Sequence, residues 1–358
     1  MSVKNNYEKQ YFSILSSLLT DGVKSSNRTG INTYKIWGAQ MKIDLSEGFP
    51  LLTTKKIHWK SVVHELLWMI SGDTNIQYLL KNGVTFWSEW PYQRYLNSSK
   101  DGVSGCSFGS CAFSLKEFEQ TIINNDKFAK QWGSIGKYGY GGMWRKFPAR
   151  QWQYGADLSY EEDNIDVDQL KNVLTELKTN PDSRRIIISA WHPYHSNRVE
   201  DALLPACHNY IQFGTEELTA EQRNYLYIGK MRGGWAGMTS EDYDYAKIPK
   251  YRLNCYYSMR SNDFFLGNPY NNAFYALLTH LIANELNMIP GQLVYSAADV
   301  HLYSNHIEQA KLQLARIPKE LPQVKIKIPD KSIFDIKFED IELTNYNPDP
   351  NIKADVAV

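Results

Sequence analysis

The chain lacks the features of a secreted, membrane or nucleic-acid-binding protein. Of its 358 residues, 39 are Lys or Arg and 39 are Asp or Glu, so the formal net charge is zero. A balanced charge provides no basic surface, and we expect no DNA binding. No apolar run is long enough to span a membrane, and the first residues lack the apolar core of a signal peptide. The sequence therefore predicts a cytoplasmic protein without a membrane partner.

Cysteine is also scarce. Four cysteines in a chain of this length do not make a disulfide framework. Cys106 and Cys111 are separated by four residues in a segment rich in Ser and Gly, with no histidine nearby. Zinc sites usually combine Cys pairs with further Cys or His ligands, so we expect no metal.

Apolar spacing predicts a mixture of helices and strands. Helical periodicity covers residues 7–20, 59–71, 115–128, 166–177 and 273–286, and residues 301–306 are predicted to open another helix. Alternating or continuous apolar runs predict strands at 33–45, 186–191, after Cys207, at 252–262 and 292–296, and within 318–329 and 333–343. Residues 91–139 and 214–250 are polar, and the second segment is predicted to be loop-like. The expected architecture is one α+β domain over residues 1–358 with two insertions.

One thiol is a candidate nucleophile. The run Ala202-Leu-Leu-Pro-Ala-Cys207-His208-Asn-Tyr-Ile-Gln-Phe213 places Cys207 just ahead of a predicted strand. A thiol is a strong nucleophile when nearby groups favour the thiolate. A buried cysteine can equally serve as a small hydrophobic side chain, and the residue alone does not separate these roles.

Other residues allow a functional and a structural interpretation. Glu65 lies among apolar neighbours in the predicted helix 59–71, where burial would raise its pKa toward that of a general acid or base. It could instead lie on the wet edge of that helix. Trp87 and Trp90 could line an aromatic pocket or belong to the core. Arg28 and the pair Arg184-Arg185 could clamp a phosphate, because a guanidinium binds phosphate oxygens in pairs, or remain solvated.

Taken together, the motifs resemble those of the thymidylate synthase family. They are Arg28-Thr-Gly, Gly48-Phe-Pro-Leu-Leu-Thr-Thr-Lys, His64-Glu65-Leu-Leu-Trp, Gly72-Asp-Thr-Asn, Asp182-Ser-Arg-Arg-Ile-Ile, Pro205-Ala-Cys-His, Arg260-Ser, His301-Leu-Tyr-Ser-Asn-His, Ser332-Ile-Phe-Asp and Ile352-Lys-Ala-Asp-Val-Ala-Val358. They occur in family order over about two thirds of the chain, and such an ordered series is far more specific than any one motif.

The resemblance implies an obligate homodimer with a mixed sheet and packed helices. It also implies one-carbon transfer from 5,10-methylenetetrahydrofolate, a reduced-folate co-substrate, to C5 of a pyrimidine deoxynucleotide. Cys207 resembles the nucleophile that adds to C6, and Glu65 the carboxylate that organises proton transfers through water. Tyr140 and His208 match hydrogen-bonding positions. Asn271 stands where the family reads the base, since a carboxamide can accept from N3–H and donate to O4 of uracil. The implied substrate is dUMP.

The remaining matched positions form two binding groups. The nucleotide group resembles a phosphate clamp and a pair that holds the deoxyribose hydroxyl: Arg28, Arg184, Arg185, Arg260, Ser261, Asn262, Asp263, His301 and Tyr303. The folate group matches His58, Trp87, Trp90, Asp263, Gly267, Tyr270 and Ala357. The resemblance further implies that Arg184 and Arg185 reach the partner subunit's site. The arginines would supply a positive field that favours the thiolate of Cys207.

The chain departs from the family pattern near the reacting carbon. Asn268 and Asn272 stand where apolar residues are usual, and Gly141-Gly142-Met143 replaces Gly-Lys-Gln. The run Met259-Arg-Ser-Asn-Asp263 resembles that of a viral deoxycytidylate hydroxymethylase. Polar side chains beside Asn271 could hold an ordered water that attacks the C5-methylene carbon.

These departures lead to a specific expectation. It is a deoxyuridylate hydroxymethyltransferase, which converts methylenetetrahydrofolate, water and dUMP into 5-hydroxymethyl-dUMP and tetrahydrofolate. The setting would be a virus with modified DNA, and the enzyme would act in the host cytoplasm. The alternative is a thymidylate synthase that releases dTMP and dihydrofolate, which the retained Trp87 and C-terminal tail favour. A remote third possibility is a non-catalytic nucleotide- or RNA-binding relative, which the retained Cys207 and Glu65 argue against.

Overall fold

A computed structural model describes residues 5–27, 29–100, 113–154, 160–198, 200, 202–231 and 238–356. Arg28 and Ala357, both predicted site residues, and Cys106 and Cys111 lie outside this part of the chain. The chain divides into two compact units. The first unit comprises Met1–Trp59, Val173–Ile187 and Cys207–Val358, and the second comprises Lys60–Asn172 and Ile188–Ala206. The single domain over residues 1–358 stays a prediction.

The described residues form ten strands and twelve α-helices. The strands are β1 Val23–Ser25, β2 Thr33–Asp44, β3 Phe147–Tyr154, β4 Tyr160–Val167, β5 Ile187–Ser189, β6 His208–Glu217, β7 Tyr251–Asp263, β8 Ile289–Tyr303, β9 Gln323–Ile326 and β10 Ile341–Thr344. The helices are α1 Asn6–Thr20, α2 Trp59–Ser71, α3 Gln77–Lys81, α4 Glu89–Lys100, α5 Leu115–Asn124, α6 Asp126–Trp132, α7 Tyr140–Arg145, α8 Gln169–Thr179, α9 Ala220–Met231, α10 Ser240–Tyr245, α11 Gly267–Glu285 and α12 Ile307–Leu314.

A mixed six-stranded sheet is the largest sheet among the described residues. Its order is β1–β2–β8–β7–β6–β5, and β7 and β8 run parallel while β2–β8 and β6–β7 are antiparallel. β3 and β4 form a separate hairpin, as do β9 and β10. The expected α+β class with a mixed sheet is therefore confirmed.

The long helix α11 packs against β7 and β8 and is buried on nearly every side. A helix that is covered all round belongs to the core. The sequence predicted a start at residue 273, but the helix begins at Gly267, after a turn in which the Asp263 carboxylate accepts from the N–H groups of Phe265 and Leu266, both at 3.1 Å. The earlier start places Asn268, Asn271 and Asn272 on the first turns of a buried helix.

The prediction of a helix opening at residue 301 is wrong for its first residues. His301 and Tyr303 complete β8, a short 3₁₀ turn follows at Ser304–His306, and α12 begins only at Ile307. β8 continues because both neighbouring strands pair with it, at Asp263↔His301 in β7 and Thr33↔Tyr303 in β2. Pairing on two sides outweighs the local sequence preference.

Other boundaries differ for local reasons. The predicted helix 115–128 is two helices, because the Asn125 side chain accepts from the Phe128 N–H and caps a new helix. Asp166 belongs to β4, so α8 begins at Gln169. Residues 214–250 contain α9 and α10, not only loop. The prediction for residues 59–71 is confirmed by α2. No helix in the described part of the chain is long and apolar enough to cross a membrane.

Candidate active site

Cys207 immediately precedes β6 in the first unit and is partly exposed. Its backbone carbonyl accepts from the Arg260 N–H at 2.9 Å, and the Arg260 Nη2 lies 3.7 Å from its Sγ. A guanidinium at this distance favours a negatively charged sulfur. By contrast, Cys255 is buried in β7, and burial raises its pKa to about 12. Of these two thiols, only Cys207 has the exposure and the positive neighbour that a nucleophile needs.

His208 follows Cys207 but cannot carry a positive charge easily. Its Nδ1 lies 2.5 Å from the Tyr275 hydroxyl, and burial lowers its pKa to about 3. The imidazole is therefore neutral at physiological pH and can act as a hydrogen-bonding group but not as an imidazolium acid.

Asn271, near the start of α11, contacts the amide of Asn262 in β7. The Asn262 Nδ2 donates to the Asn271 Oδ1 at 3.3 Å. Behind them, the Asn272 Nδ2 donates to the Asn268 Oδ1 at 2.8 Å, and the Asn268 Nδ2 donates to the Asn262 Oδ1 at 3.1 Å. Asn268 and Asn272 are completely buried and bonded to protein groups. The expectation that these two side chains form a water site beside the reacting carbon is not supported.

Four residues of the predicted nucleotide-binding group lie where the parallel strands β7 and β8 end. Ser261 pairs in register with Asp299, and Asp263 with His301. The His301 Nδ1 lies 2.8 Å from the Asp299 Oδ1, and its ring packs edge-to-face on Tyr303 with centroids 5.4 Å apart. Four predicted residues, Ser261, Asp263, His301 and Tyr303, are therefore held together by the sheet.

The two adjacent arginines lie in the loop between α8 and β5. Both side chains are exposed, and the Arg184 carbonyl accepts from the Gln212 Nε2 at 3.2 Å. Arg185 is held by its N–H, which donates to the Ser183 hydroxyl at 3.2 Å. Their contribution to a partner subunit stays a prediction.

Predicted folate-side residues of the first unit also contact one another. The His58 N–H donates to the Tyr270 hydroxyl at 3.3 Å. A Cβ added at Gly267 would lie 3.7 Å from the Asn271 Oδ1 and 3.8 Å from the Asn262 Nδ2. Gly267 therefore lies directly against the two amides.

The second unit contains a carboxyl group that is hydrogen-bonded to a tryptophan of an aromatic cluster. The Glu65 Oε1 accepts from the Trp87 Nε1 at 2.8 Å. The Trp87 ring packs on Trp68, Trp90 and Tyr140, with centroids 5.6, 5.5 and 5.9 Å away. Burial raises the pKa of Glu65 to about 7, and the Trp87 hydrogen bond offsets only part of that rise. Part of the residue remains accessible although its carboxyl group is buried. Near neutral pH this group can both give and take a proton.

Sequence comparisons identify the family to which the chain is similar. The family model for thymidylate synthase matches residues 9–358. A protein named thymidylate synthase from Mycoplasma pneumoniae is 42% identical over 350 residues, covering 98% of this chain and 100% of that protein. The chain belongs to the thymidylate synthase family. Similar proteins of the same name from Mycoplasma genitalium and Listeria monocytogenes are 41% and 37% identical, again covering 98% of this chain and 100% of each relative.

Thymidylate synthase family membership implies an enzyme that transfers a one-carbon unit to C5 of dUMP, with methylenetetrahydrofolate as co-substrate. The hydroxymethyltransferase expectation gains no support, because the matched relatives are named thymidylate synthase at 37% to 42% identity. Nor does any comparison support a viral setting.

Lys55 was assigned no role from the sequence, yet it is buried in the first unit. Its Nζ donates to the Phe265 carbonyl at 2.5 Å and lies 3.7 Å from the centre of the Phe265 ring. Burial lowers the pKa of Lys55 to about 7, although the nearby Asp263 carboxylate opposes this shift. Lys55 thus holds the turn that carries Asp263. Its position at the end of the apolar run Phe49-Pro-Leu-Leu-Thr-Thr was the available signal.

Proposed function

We propose that this protein is a thymidylate synthase, which converts dUMP and 5,10-methylenetetrahydrofolate into dTMP and dihydrofolate. One observation favours this proposal over the hydroxymethyltransferase, namely the buried position of the Asn268 and Asn272 side chains. Their amides are bonded to protein in the interior, so the feature that suggested a positioned water no longer supports it. The full-length similarity to proteins named thymidylate synthase supports the same reading.

The proposed roles follow the chemistry of each side chain. The Cys207 sulfur adds to C6 of the uracil ring, and the electrons of the C5–C6 double bond make C5 nucleophilic toward the folate methylene. Glu65, with a pKa of about 7, exchanges protons with the base through water. Asn271 accepts from N3–H and donates to O4. Loss of the C5 proton and cleavage of the bond between the methylene carbon and the folate nitrogen then release tetrahydrofolate. Hydride from this tetrahydrofolate converts the methylene into the methyl group and leaves dihydrofolate, while the C5–C6 double bond re-forms and the Cys207 sulfur leaves as a thiolate.

The nucleotide phosphate would be held by arginines. Arg260 lies beside the nucleophile, so one guanidinium would serve both the phosphate and the sulfur. Arg28, Arg184 and Arg185 are proposed to complete the clamp. Arg184 and Arg185 are exposed in the single chain, so both side chains are available to bind the phosphate in the site of a second subunit. On that basis we propose a homodimer.

We assign the binding of the folate to aromatic side chains and to four further residues. Trp87, Trp90 and Tyr140 pack together beside Glu65 and would exclude water from the reacting methylene. His58, Gly267, Tyr270 and Ala357 are also proposed to bind the folate.

Product identification tests the proposal. The protein is incubated with dUMP and methylenetetrahydrofolate in water enriched in ¹⁸O, and both products are identified by mass spectrometry. We expect dTMP without ¹⁸O, together with dihydrofolate. A hydroxymethyl-dUMP product with ¹⁸O in its hydroxymethyl group, formed together with tetrahydrofolate, would contradict the proposal and support the hydroxymethyltransferase. A reaction without methylenetetrahydrofolate is the control.

Replacing Asn271 with Asp is expected to shift base preference from uracil toward cytosine. A carboxylate cannot donate to O4 of uracil but can accept from the amino group of cytosine. The ratio of kcat/KM for dUMP to that for dCMP should fall by about 100-fold, the upper end expected for leaving one polar group unpaired. Asn284→Asp, at the other end of α11, is the matched control and should keep the wild-type ratio. A variant that still prefers dUMP as strongly as the wild type would exclude Asn271 as the base-reading residue.

A further inference from the structure

We infer that a buried set of hydrogen bonds behind Asn271 fixes the orientation of its amide and so excludes cytosine. This set, called here the amide relay, consists of Tyr257, Asn272, Asn268, Asn262 and Tyr295. The inference rests on the proposed function, in which Asn271 reads uracil. It assigns Tyr257 and Tyr295, whose hydroxyls bond to Asn272 and Asn262, as positioning residues for base selection.

The amide relay is assembled by three elements of the first unit. α11 places Asn268, Asn271 and Asn272 on one helical face, because residues three and four apart are neighbours. β7 contributes Tyr257 and Asn262, and β8 contributes Tyr295, which pairs in register with Tyr257. Every relay residue is at most 2% exposed.

The hydrogen bonds of the relay run in one direction. The Tyr257 hydroxyl donates to the Asn272 Oδ1 at 2.6 Å, and the amide bonds from Asn272 through Asn268 to Asn262 and Asn271 continue in the same sense. The Tyr295 hydroxyl donates to the Asn262 Oδ1 at 2.7 Å. Both tyrosines therefore act as donors, which leaves the Asn262 Nδ2 to face Asn271.

This direction matters because a carboxamide can pair with either pyrimidine. With its oxygen toward N3–H and its nitrogen toward O4, Asn271 matches uracil. Rotated by half a turn, the same amide would donate to N3 of cytosine and accept from its amino group. The Asn262 Nδ2 opposes that rotation, since it would then face the Asn271 NH₂ group and have no acceptor.

Two side chains at the centre of the relay both donate and accept. Asn268 accepts from Asn272 and donates to Asn262, and Asn272 accepts from the Tyr257 hydroxyl. Buried polar networks are stable only when every member is satisfied, and then they specify one arrangement. In this relay the specified arrangement fixes the orientation of the Asn262 amide, which contacts the base-reading amide of Asn271.

The test compares nucleotide binding by the full-length protein and its variants. Titration calorimetry gives Kd for dUMP and for dCMP without any need for turnover. The double variant Tyr257→Phe/Tyr295→Phe keeps both rings but removes both donors, so the relay can reverse. We expect the ratio of the dCMP Kd to the dUMP Kd to fall about tenfold, the equivalent of one hydrogen bond. Asn262→Leu, which removes the donor to Asn271 itself, should lower the ratio at least as much.

Tyr11→Phe is the matched control. Tyr11 is fully buried in the same unit, and the contacts of its hydroxyl with the described residues are long, at 3.4 Å to the Phe264 carbonyl and 3.5 Å to the Gln313 Oε1. This variant should keep the wild-type Kd ratio, because its hydroxyl lies outside the relay.

The outcomes separate the inference from the proposed function. A wild-type protein with no preference for dUMP over dCMP would overturn both. A wild-type preference that survives in the double variant, or an equal loss of affinity for both nucleotides, would overturn the inference alone. If the double variant does not fold, Asn262→Leu decides: an unchanged ratio there also overturns the inference.

Discussion

Replacing Cys207 with Ser is expected to lower kcat by about 10⁴-fold or more while dUMP still binds. A serine hydroxyl is far less nucleophilic than a thiolate, and the Arg260 guanidinium 3.7 Å from the sulfur gives little help to a neutral alcohol. The proposed phosphate and base contacts are made by other side chains, so affinity should change little. Single-turnover kinetics measures the rate, and calorimetry measures the Kd for dUMP.

Cys255→Ala is the matched control for loss of a thiol. Cys255 is buried and its pKa is raised to about 12, so it is not a nucleophile. We expect wild-type kcat, with some loss of stability from the small cavity. If Cys207→Ser kept a substantial fraction of wild-type kcat, or lost dUMP binding as well, the role assigned to Cys207 would be refuted.

Replacing Glu65 with Gln is expected to lower kcat by about 10² to 10⁴-fold, the usual contribution of a positioned acid or base. The amide keeps the shape of the side chain and can still accept from the Trp87 Nε1, but it carries no exchangeable acid proton. The wild-type pH profile of kcat should show a limb near the Glu65 pKa of about 7, and that limb should be absent from the variant. Glu119→Gln, on α5, is the control and should keep the limb.

The same substitution should change the pH dependence of stability. Below the unfolded-state pKa of 4.5 the carboxyl is neutral in both states and burial costs nothing extra. As pH rises from 4.5 to about 7, the unfolded chain releases the proton while the folded protein retains it, so wild-type stability falls relative to the Gln variant. Because Glu65 is partly accessible, we expect a difference of about 2 kcal/mol above pH 8, below the full value of the shift.

Chemical denaturation at pH 4.5 and pH 8 measures this difference. The two proteins should differ least at the lower pH, and Glu119→Gln should follow the wild type at both. A stability difference that does not grow with pH would mean that the Glu65 carboxyl is not buried as a neutral group, and the proposed proton-transfer role would lose its physical basis.

Much of the fold follows from local pattern. The helix at residues 59–71 was predicted with its exact bounds, because its apolar face repeats at helical spacing and Gly72 stops it. The strand after Cys207 and the strand at β7 were also recognisable from alternation. By contrast, β8 reaches Tyr303 only because β7 and β2 pair with it on both sides, which no local pattern contains.

The candidate site likewise combines features that can be predicted from the sequence with features that depend on the folded structure. The motifs and the family resemblance that they carry were sufficient to propose Cys207, Glu65 and Asn271 as site residues, and their roles stay predictions. The sequence did not determine their charge states, since the pKa of Glu65 depends on the burial of its carboxyl group and on the hydrogen bond from Trp87. The low pKa of His208 likewise depends on burial, beside a Tyr275 that is distant in sequence.

Asn268 and Asn272 show most clearly what the sequence alone does not determine. The sequence by itself determined that two polar residues flank Asn271, and the family resemblance suggested that they face the reacting carbon and hold a water. Only the tertiary structure decided that they face the core. α11 begins earlier than its apolar pattern indicates, and its packing on β7 and β8 turns both amides toward Tyr257 and Asn262. Buried amides must find partners inside the protein, and here those partners lie on strands that only the folded chain brings alongside.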